Sequence, residues 1–162
     1  GADSGDILDQ QIVAVDREDD AATLYSNLLT VACKQIGTFT SALANGSAVF
    51  VKQDEHQATY WRKRGKEDGK VEWNNSAREN YNLVRALTKP YIGAHFEFND
   101  QDCKVWKAQV VADIKGGSLP GEVIEVEDKI FTVKCKENAL RIIDHECATL
   151  LNVGDCLTKR AI

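Results

Sequence analysis

The amino-acid sequence predicts an α/β segment followed by a small antiparallel β-barrel. In the first third of the chain, an apolar run is followed by a long stretch in which apolar residues recur with helical spacing. After residue 93 the period changes to two, and five short alternating runs are separated by turn residues. Short strands at this spacing are typical of barrels, of which the oligonucleotide/oligosaccharide-binding (OB) type is a common case.

The composition is that of a globular protein. The chain has 162 residues, of which 43% are hydrophobic and 28% charged, and its formal charge is −5. At this length roughly 68–70% of the unfolded surface becomes buried, which is enough for a core without disulfides or a structural metal. No run approaches the roughly 18 apolar residues of a membrane span, and the first residues hold acids where an export signal is basic. We therefore predict a cytoplasmic protein with no membrane partner.

The first predicted elements are a strand and a long helix. Residues 7–15 alternate loosely and then run apolar, which predicts a strand that ends at the acidic residues 16–20. Asp19 or Asp20 is suited to cap the helix that follows, and Gly46 is suited to end it. The helix is predicted from apolar residues spaced three and four apart, namely Leu24, Leu28, Val31, Ala32, Ile36, Phe39 and Leu43.

This strand and helix are expected to be the last part of a larger domain. A parallel sheet requires neighbouring strands and crossovers, and none precede the pair in this sequence. The chain also contains no Met, which points to a processed product or a fragment beginning at Gly1. The glycines and carboxylates of residues 1–7 could orient a ligand, although an Asx-rich turn into the strand is the commoner explanation.

A polar connector and a second helix come next. Residues 62–70 hold five basic and two acidic residues, so this stretch is either a phosphate-binding patch or, more commonly, a solvated loop. Ser76 and Glu79 form a capping box at the start of a helix, which Pro90 ends.

Five strands are then predicted by alternation at 94–98, 104–111, 122–126, 130–135 and 140–143. Turns are expected at the pairs Asn99-Asp100, Gly116-Gly117 and Glu127-Asp128.

The cysteines and histidines do not form a recognisable site. The five cysteines are an odd number and include no C-x-x-C pair, so we interpret them as reduced, mostly packed thiols and not as a redox motif. The three histidines are scattered without ligand spacing, so no metal site is predicted. Arg85 lies in the last turn of the second helix, where a cation either interacts with the helix dipole or meets a ligand.

Several segments together resemble the formyltransferase family, in the order and spacing of its C-terminal half. They are residues 1–8, 53–54, 58–60, 68–73, 82–94, 105–108, 120–121 and 139–142. The most specific is Arg-Ala-x-Thr-x-Pro-Tyr-x-Gly-Ala at 85–94. The family includes methionyl-tRNA formyltransferase and bacterial enzymes that formylate amino groups on nucleotide-linked sugars.

The resemblance implies a formyltransferase with 10-formyltetrahydrofolate as its co-substrate. Residues 1–75 would be the C-terminal part of a Rossmann-like catalytic domain with its connector. Residues 76–162 would be a linker helix and an OB-like barrel. Of the family's catalytic Asn, His and Asp, only Asp3 has a match here, so this chain by itself is expected to be inactive.

The resemblance also implies roles for particular residues. Asp3 would be the catalytic carboxylate, and Ala2 and Asp3 would contact the folate. Arg85 and Tyr91 would border the nucleotide-sugar site, because a guanidinium suits a diphosphate and an aromatic ring packs on a base or sugar. Lys89 and Trp73 are further candidates for substrate binding.

The charge pattern favours a small substrate over tRNA. From residue 71 onward the chain has 12 basic and 14 acidic residues, which does not suit a polyanion. The motif at 85–94 is also more similar to that of the sugar enzymes. We therefore predict a nucleotide-linked aminosugar as substrate, with methionyl-tRNA formylation as the alternative and a non-catalytic binding module as a second one. The chain is also predicted to form a homodimer.

Overall fold

The computed structural model describes residues 3–113 and 116–158. The chain divides into two compact units, residues 1–19 with 23–63 and residues 20–22 with 64–162. The functional division that the sequence predicts between residues 75 and 76 stays a prediction.

The long helix of the first unit is confirmed. Helix α1 spans Ala21–Ala44, and it ends where Gly46 adopts a positive φ of 72°, a backbone conformation that glycine takes without strain. Several large apolar side chains on α1, among them Leu28 and Ile36, are about half exposed. No helix in the described ranges is long and apolar enough to cross a membrane.

The strand predicted over residues 7–15 is wrong. Only Ile7 forms a bridge, with Val51, through two backbone hydrogen bonds of 2.8 and 2.9 Å. Ile12 in the middle of the segment is 93% exposed. A strand needs a partner backbone along its length, and Val51 supplies one for a single residue.

The second helix begins at the predicted capping box. Helix α2 spans Ala77–Leu87. The Glu79 N–H donates to Ser76 Oγ at 3.2 Å, and the Ser76 N–H donates to the Glu79 carboxylate at 2.8 Å. These two bonds satisfy amide groups that a helix leaves unpaired at its N-terminus.

The five predicted strands are present and form one antiparallel sheet. Their bounds are β1 Ala94–Phe98, β2 Gln101–Val111, β3 Val123–Glu127, β4 Ile130–Lys134 and β5 Ala139–His145. Their order across the sheet is β1-β2-β5-β4-β3. Asn99 and Asp100, with φ of 51° and 58°, make the predicted tight turn between β1 and β2.

The sheet does not close into a barrel within the described residues, because each edge strand has a different neighbour. On the β1 edge, the Val71 N–H donates to the His95 carbonyl at 2.7 Å. On the β3 edge, the Val123 N–H donates to the Asp155 carbonyl at 2.8 Å. Short segments therefore protect the two edges from other chains, and the OB-like barrel stays a prediction.

The core lies between α2 and the sheet. Its fully buried apolar side chains come from both, namely Val84, Phe96, Val105, Val123, Val133, Leu140 and Ile142. Trp73 packs edge-on against Phe96, which packs edge-on against Phe131, with ring centroids 5.8 and 6.1 Å apart. Each such side chain stabilises the fold by roughly 1.5–3 kcal/mol through removal of apolar area from water.

Candidate functional site

Asp3 is held in place by Gln53. The Gln53 side-chain amide donates to the Asp3 carbonyl at 3.1 Å and also to the carbonyl of Gly5. Two motifs that are 50 residues apart in the sequence therefore meet in the first unit. The Asp3 backbone has a positive φ of 61°, and its side chain is exposed. Ala2, the other predicted folate contact, lies outside the described residues.

Asp54, next to Gln53, starts a 3-10 turn over Glu55–Gln57. The Gln57 side chain and the His56 N–H donate to its carboxylate. Both hydrogen bonds lower the pKa of Asp54. The segment that holds Asp3 is thus itself fixed by local hydrogen bonds.

Three of the predicted substrate-binding residues lie along the end of α2 and the turn that follows it. The Arg85 Nε–H donates to Asn82 Oδ1 at 2.9 Å, and the Arg85 guanidinium lies 5.9 Å from the centre of the Tyr81 ring. Lys89 Nζ lies 5.2 Å from the centre of the Trp106 ring. Tyr91 is 54% exposed, so its ring is available to a ligand.

Trp106 on β2 shapes this turn. Its backbone carbonyl accepts the Thr88 hydroxyl at 2.9 Å, and its indole N–H donates to Glu146 at 3.0 Å. The backbone of Gly93 lies close to the Trp106 ring. The turn that carries Lys89 and Tyr91 is therefore anchored to an interior strand of the sheet, which suits a site that must hold its geometry.

Trp73 is fixed by a different set of contacts. The Trp73 carbonyl accepts the Lys136 N–H at 3.1 Å, and the nearby Ala77 N–H donates to the Glu137 carbonyl at 3.0 Å. The buried Asn80 amide donates to the Glu72 carbonyl at 3.0 Å. The first two bonds join the start of α2 and the residues before it to the turn between β4 and β5, and the third joins α2 to Glu72.

The indole of Trp73 borders a cavity of about 220 Å³. Trp73 is 3% exposed, and its Nε1–H is buried with no hydrogen-bond partner in the described part of the chain. An unpaired buried donor costs about 1–3 kcal/mol, so an acceptor that came within hydrogen-bond distance of Nε1 would offset this cost. Stacking on the face of the ring is not available at this exposure. The other lining residues are Lys70, Val71, Glu72, Asn74, Phe96, Glu97, Leu157 and Thr158.

The sequence analysis missed a cluster of ionisable side chains formed by His95, Asp102 and Lys66. His95 is buried on β1, with its Nε2 atom 4.0 Å from Asp102, and Asp102 accepts Lys66 at 2.9 Å. Desolvation opposes the ionised form, but the Lys66 hydrogen bond and the His95 imidazole hold the pKa of Asp102 below its usual value. Lys104 pairs with His95 across the hairpin, and Asp102 is the diagonal neighbour of His95, so recognising this group requires the hairpin register.

The other tryptophan and cysteine side chains and the possible metal ligands do not define a second site in the described residues. Trp61 is 87% exposed. Cys103 and Cys135 are buried as expected, whereas Cys33 and Cys156 are exposed. Within residues 3–113 and 116–158, no three His, Cys, Asp or Glu side chains are grouped as metal ligands.

The family is shown by comparison with known proteins. Residues 63–153 match the family model described as the C-terminal domain of formyl transferases. This match covers more than half of the 162 residues, and the chain therefore belongs to the formyl transferase family. The resemblance inferred from the motifs is confirmed.

A curated relative supports this membership. The methionyl-tRNA formyltransferase of Caldanaerobacter subterraneus subsp. tengcongensis is 35% identical over 144 residues, which are 89% of this chain and 46% of that protein. The chain thus spans about half the length of that relative.

Solved structures share the fold. A variant of HypX from Aquifex aeolicus has a TM-score of 0.69 at 21% identity, over 91% of this chain and 25% of that one. An N-formyltransferase from Helicobacter canadensis, solved in complex with folinic acid and dTDP-3-aminofucose, has a TM-score of 0.64 at 21% identity. That comparison covers 90% of this chain and 52% of the other. At these identities the structures establish the fold alone.

Proposed function

We propose that this chain is part of an enzyme that transfers a formyl group from 10-formyltetrahydrofolate to the amino group of a nucleotide-linked aminosugar. The observation that carries the choice of substrate is the turn after α2. It presents Lys89 and the half-exposed Tyr91, close in sequence to Arg85, on a part of the chain whose formal charge is negative. A few local cations beside an aromatic ring suit a diphosphate and a base, whereas tRNA needs an extended basic surface.

The folate co-substrate is supported by the family and by one solved relative. The Helicobacter canadensis N-formyltransferase was solved with folinic acid and an aminosugar nucleotide. We propose that this chain contributes Ala2 and Asp3 to the folate site of the intact enzyme. Asp3 has an exposed side chain, and its backbone carbonyl accepts a hydrogen bond from the Gln53 side chain; this fits a role at a site that substrates reach from solvent.

The proposed role of Asp3 follows from the chemistry of formyl transfer. A neutral amine attacks the formyl carbon, and the oxyanion that forms requires hydrogen-bond donors. A carboxylate that keeps an imidazole protonated helps to supply such a donor and to move the proton that the amine loses. Asp3 is proposed as that carboxylate in the intact enzyme, with the imidazole supplied from outside this chain.

We further propose that residues 1–75 are the C-terminal part of the Rossmann-like catalytic domain with its connector and that the sheet of β1–β5 is the core of an OB-like barrel. The half-exposed apolar side chains of α1 support the first assignment, because such a face is normally covered. The cytoplasm is the proposed compartment, since all five thiols are free in the described structure.

Methionyl-tRNA formylation is the second candidate, and the relative with 35% identity favours it. The basic residues at 62–64 are exposed and could contact phosphates. A binding module without catalysis is a third candidate, and the absence of formylation of every acceptor would favour it.

The test is a formylation assay on the full-length protein that carries this chain. 10-Formyltetrahydrofolate is combined in parallel with a panel of nucleotide-linked aminosugars and with initiator methionyl-tRNA at about 0.15 M salt. We expect a mass gain of one formyl group on an aminosugar and none on tRNA. Formylation of the tRNA alone, with a steep dependence of its binding on salt, would overturn the choice of substrate.

A further inference from the structure

Two cysteines face each other across the central strands of the sheet. Cys103 lies on β2, and Cys147 follows the end of β5 by two residues. Val105 pairs with His145 in the register of these strands, and the Glu146 N–H donates to the Lys104 carbonyl at 2.9 Å. The step after the pair 104 and 146 places residue 103 opposite residue 147. The two sulfur atoms are 2.8 Å apart.

The backbone geometry at this pair suits a disulfide. Opposed residues of an antiparallel pair have Cα atoms roughly 4.5–5.5 Å apart, and disulfides need Cα separations of about 4.4–6.8 Å. Because residues 104 and 146 are hydrogen-bonded to each other, residues 103 and 147 form the next, non-hydrogen-bonded pair, in which side chains approach more closely. The bond would therefore form between segments that backbone hydrogen bonding already holds side by side.

We propose that Cys103 and Cys147 are a redox-modification site that closes to an intramolecular disulfide when the protein meets a disulfide oxidant such as glutathione disulfide. This goes beyond formyl transfer and does not rest on the proposed substrate. The pair differs from the other three cysteines, of which Cys33 and Cys156 are exposed and Cys135 is buried beside the Asn80 amide.

The exposure of the two thiols determines which of them an oxidant meets first. Cys103 is 1% exposed, and burial together with the adjacent Cys147 thiol raises the pKa of Cys103. Cys147 is partly exposed and lines a cavity of about 440 Å³ beside Phe131 and His145. An oxidant therefore reaches Cys147 first.

The chemistry balances with one glutathione disulfide. The Cys147 thiolate attacks one sulfur of the oxidant, forms a mixed disulfide and releases one glutathione thiolate. The Cys103 sulfur, after losing its proton, attacks the Cys147 sulfur and releases the second glutathione. In sum, the two protein thiols lose two electrons and two protons, and the oxidant is reduced to two glutathione thiols.

His145 lies beside the pair, and its ring nitrogens have other hydrogen-bond partners. The Cys147 N–H donates to His145 Nδ1 at 3.0 Å, so that nitrogen carries no proton, and the Nε2–H faces the Lys129 carbonyl at 2.7 Å. Both ring nitrogens are thereby occupied. In the described ranges no third His, Cys, Asp or Glu side chain completes a metal-ligand group with the two thiols, whereas zinc takes four ligands. A disulfide suits the pair better than a metal.

Oxidation would join the segment after β5 to the middle of the sheet. The closed loop would hold residues 103–147, and cross-links over loops of this length restrict the unfolded chain strongly. We expect the midpoint of thermal unfolding to rise by roughly 10 °C or more on oxidation.

The experiment equilibrates the full chain in glutathione buffers of increasing oxidant ratio, in a Cys33→Ser/Cys156→Ser background that removes the exposed thiols. Mass spectrometry of the digest is expected to show the tryptic peptides 86–104 and 142–159 joined, with the intact chain lighter by two hydrogens. Cys147→Ser in the same background is the control, since its position is partly exposed and the substitution leaves the sheet intact. It should show neither the cross-link nor the rise in the unfolding midpoint.

Two results would overturn the proposal. One is that the cross-linked peptide never forms at the most oxidising ratio while Cys147 is freely alkylated. The other is that Cys147 accumulates as a stable mixed disulfide with glutathione, which would mean that the Cys103 sulfur does not attack it.

Discussion

The Cα of Gly93 lies against the indole ring of Trp106, so that a methyl group added at Gly93 would be 2.9 Å from ring carbon Cζ3. Gly93 also has a positive φ of 82°, and its N–H donates to the Leu87 carbonyl at 2.9 Å. Glycine is therefore required at this position for two reasons, the backbone conformation and the contact with the ring. The same contact fixes the turn that carries Lys89 and Tyr91.

Gly93→Ala should destabilise the protein more than a glycine replacement that disturbs the backbone alone. Gly154 is the matched control, because its φ of 93° is similar and its added Cβ would meet nothing within 4 Å. We expect the Gly93 variant to lose about 1–3 kcal/mol more of the free energy of unfolding, the usual cost of overpacking. Urea denaturation measures the difference, and equal losses in the two variants would rule out the ring contact.

The sequence predicts the helices and strands of this chain better than it predicts which segments pair with the edges of the sheet. The five strands and both helices follow from period, capping residues and turn residues such as Asn99-Asp100, which act within a few residues. The ends of four strands differ from the predicted ones, most of all β2, which begins at Gln101 and not at residue 104. The edges of the sheet depend on Val71 and Asp155, which lie outside the alternating runs, so the sequence pattern gives no sign of them. The strand predicted over 7–15 failed for the same reason, because a strand is defined by a partner and not by its own residues.

Prediction of the candidate site has the same limit: the sequence indicates residues that are close together in the chain and not contacts between distant ones. Motif resemblance predicts Arg85, Lys89 and Tyr91, which are close in the sequence, and their roles stay a prediction. The pairing of Asp102 with His95 and Lys66 was missed, because it needs the hairpin register and the docking of a turn that is distant in sequence.

The capping box of α2 should make stability depend on pH. The Ser76 hydroxyl and then the Ser76 N–H, which both donate to the Glu79 carboxylate, lower the pKa of Glu79 from its ordinary value of 4.5. A lowered folded-state pKa stabilises the fold above pH 4.5, and this stabilisation is lost as the pH falls through the folded-state value.

We therefore expect Glu79→Gln to unfold at lower denaturant than the parent at pH 7, with the gap narrowing below about pH 4.5. Ser76→Ala should cost about 1 kcal/mol at pH 7 through loss of the N-cap acceptor. Both are read from urea midpoints between pH 3 and 7. A gap between Glu79→Gln and the parent that does not change with pH would show that the carboxylate bonds do not contribute to stability.

The exposed apolar face of α1 predicts self-association of the 162-residue chain. Leu28, Leu29 and Ile36 are about half exposed, and contiguous apolar surface of this kind is normally covered. Ile36→Glu should shift the species seen by light scattering toward monomer, whereas Thr38→Glu adds the same charge at a polar position and should not. A monodisperse monomer in the parent, with slow amide exchange throughout residues 7–46, would contradict the prediction.

Arg85→Ala in the full-length enzyme should raise the Michaelis constant for the aminosugar nucleotide roughly tenfold or more, since charged hydrogen bonds contribute about 1.5–3 kcal/mol. The constant for the folate should change little. Arg78→Ala is the control, because the Arg78 and Arg85 guanidinium groups lie 5.2 and 5.9 Å from the centre of the same Tyr81 ring. Equal rises for both substrates would indicate that Arg85 supports the helix and not the substrate.

Asp3→Asn is the sharpest test of the proposed chemistry. Asn is the suitable replacement because Asp3 has a positive φ of 61°, a conformation that Asn tolerates well among residues with a side chain. The hydrogen bond from Gln53 uses the Asp3 backbone carbonyl, so the substitution leaves it in place.

The variant should therefore keep the stability of the parent and lose the carboxylate charge alone. If that charge keeps an imidazole protonated, kcat of the full-length enzyme should fall by roughly 10²–10⁴, as it does when a catalytic donor or its orienting carboxylate is removed. Asp6→Asn, in the same exposed segment, should have near-normal kcat. Release of tetrahydrofolate measures both, and an Asp3→Asn enzyme with near-normal turnover would mean that the catalytic carboxylate lies elsewhere.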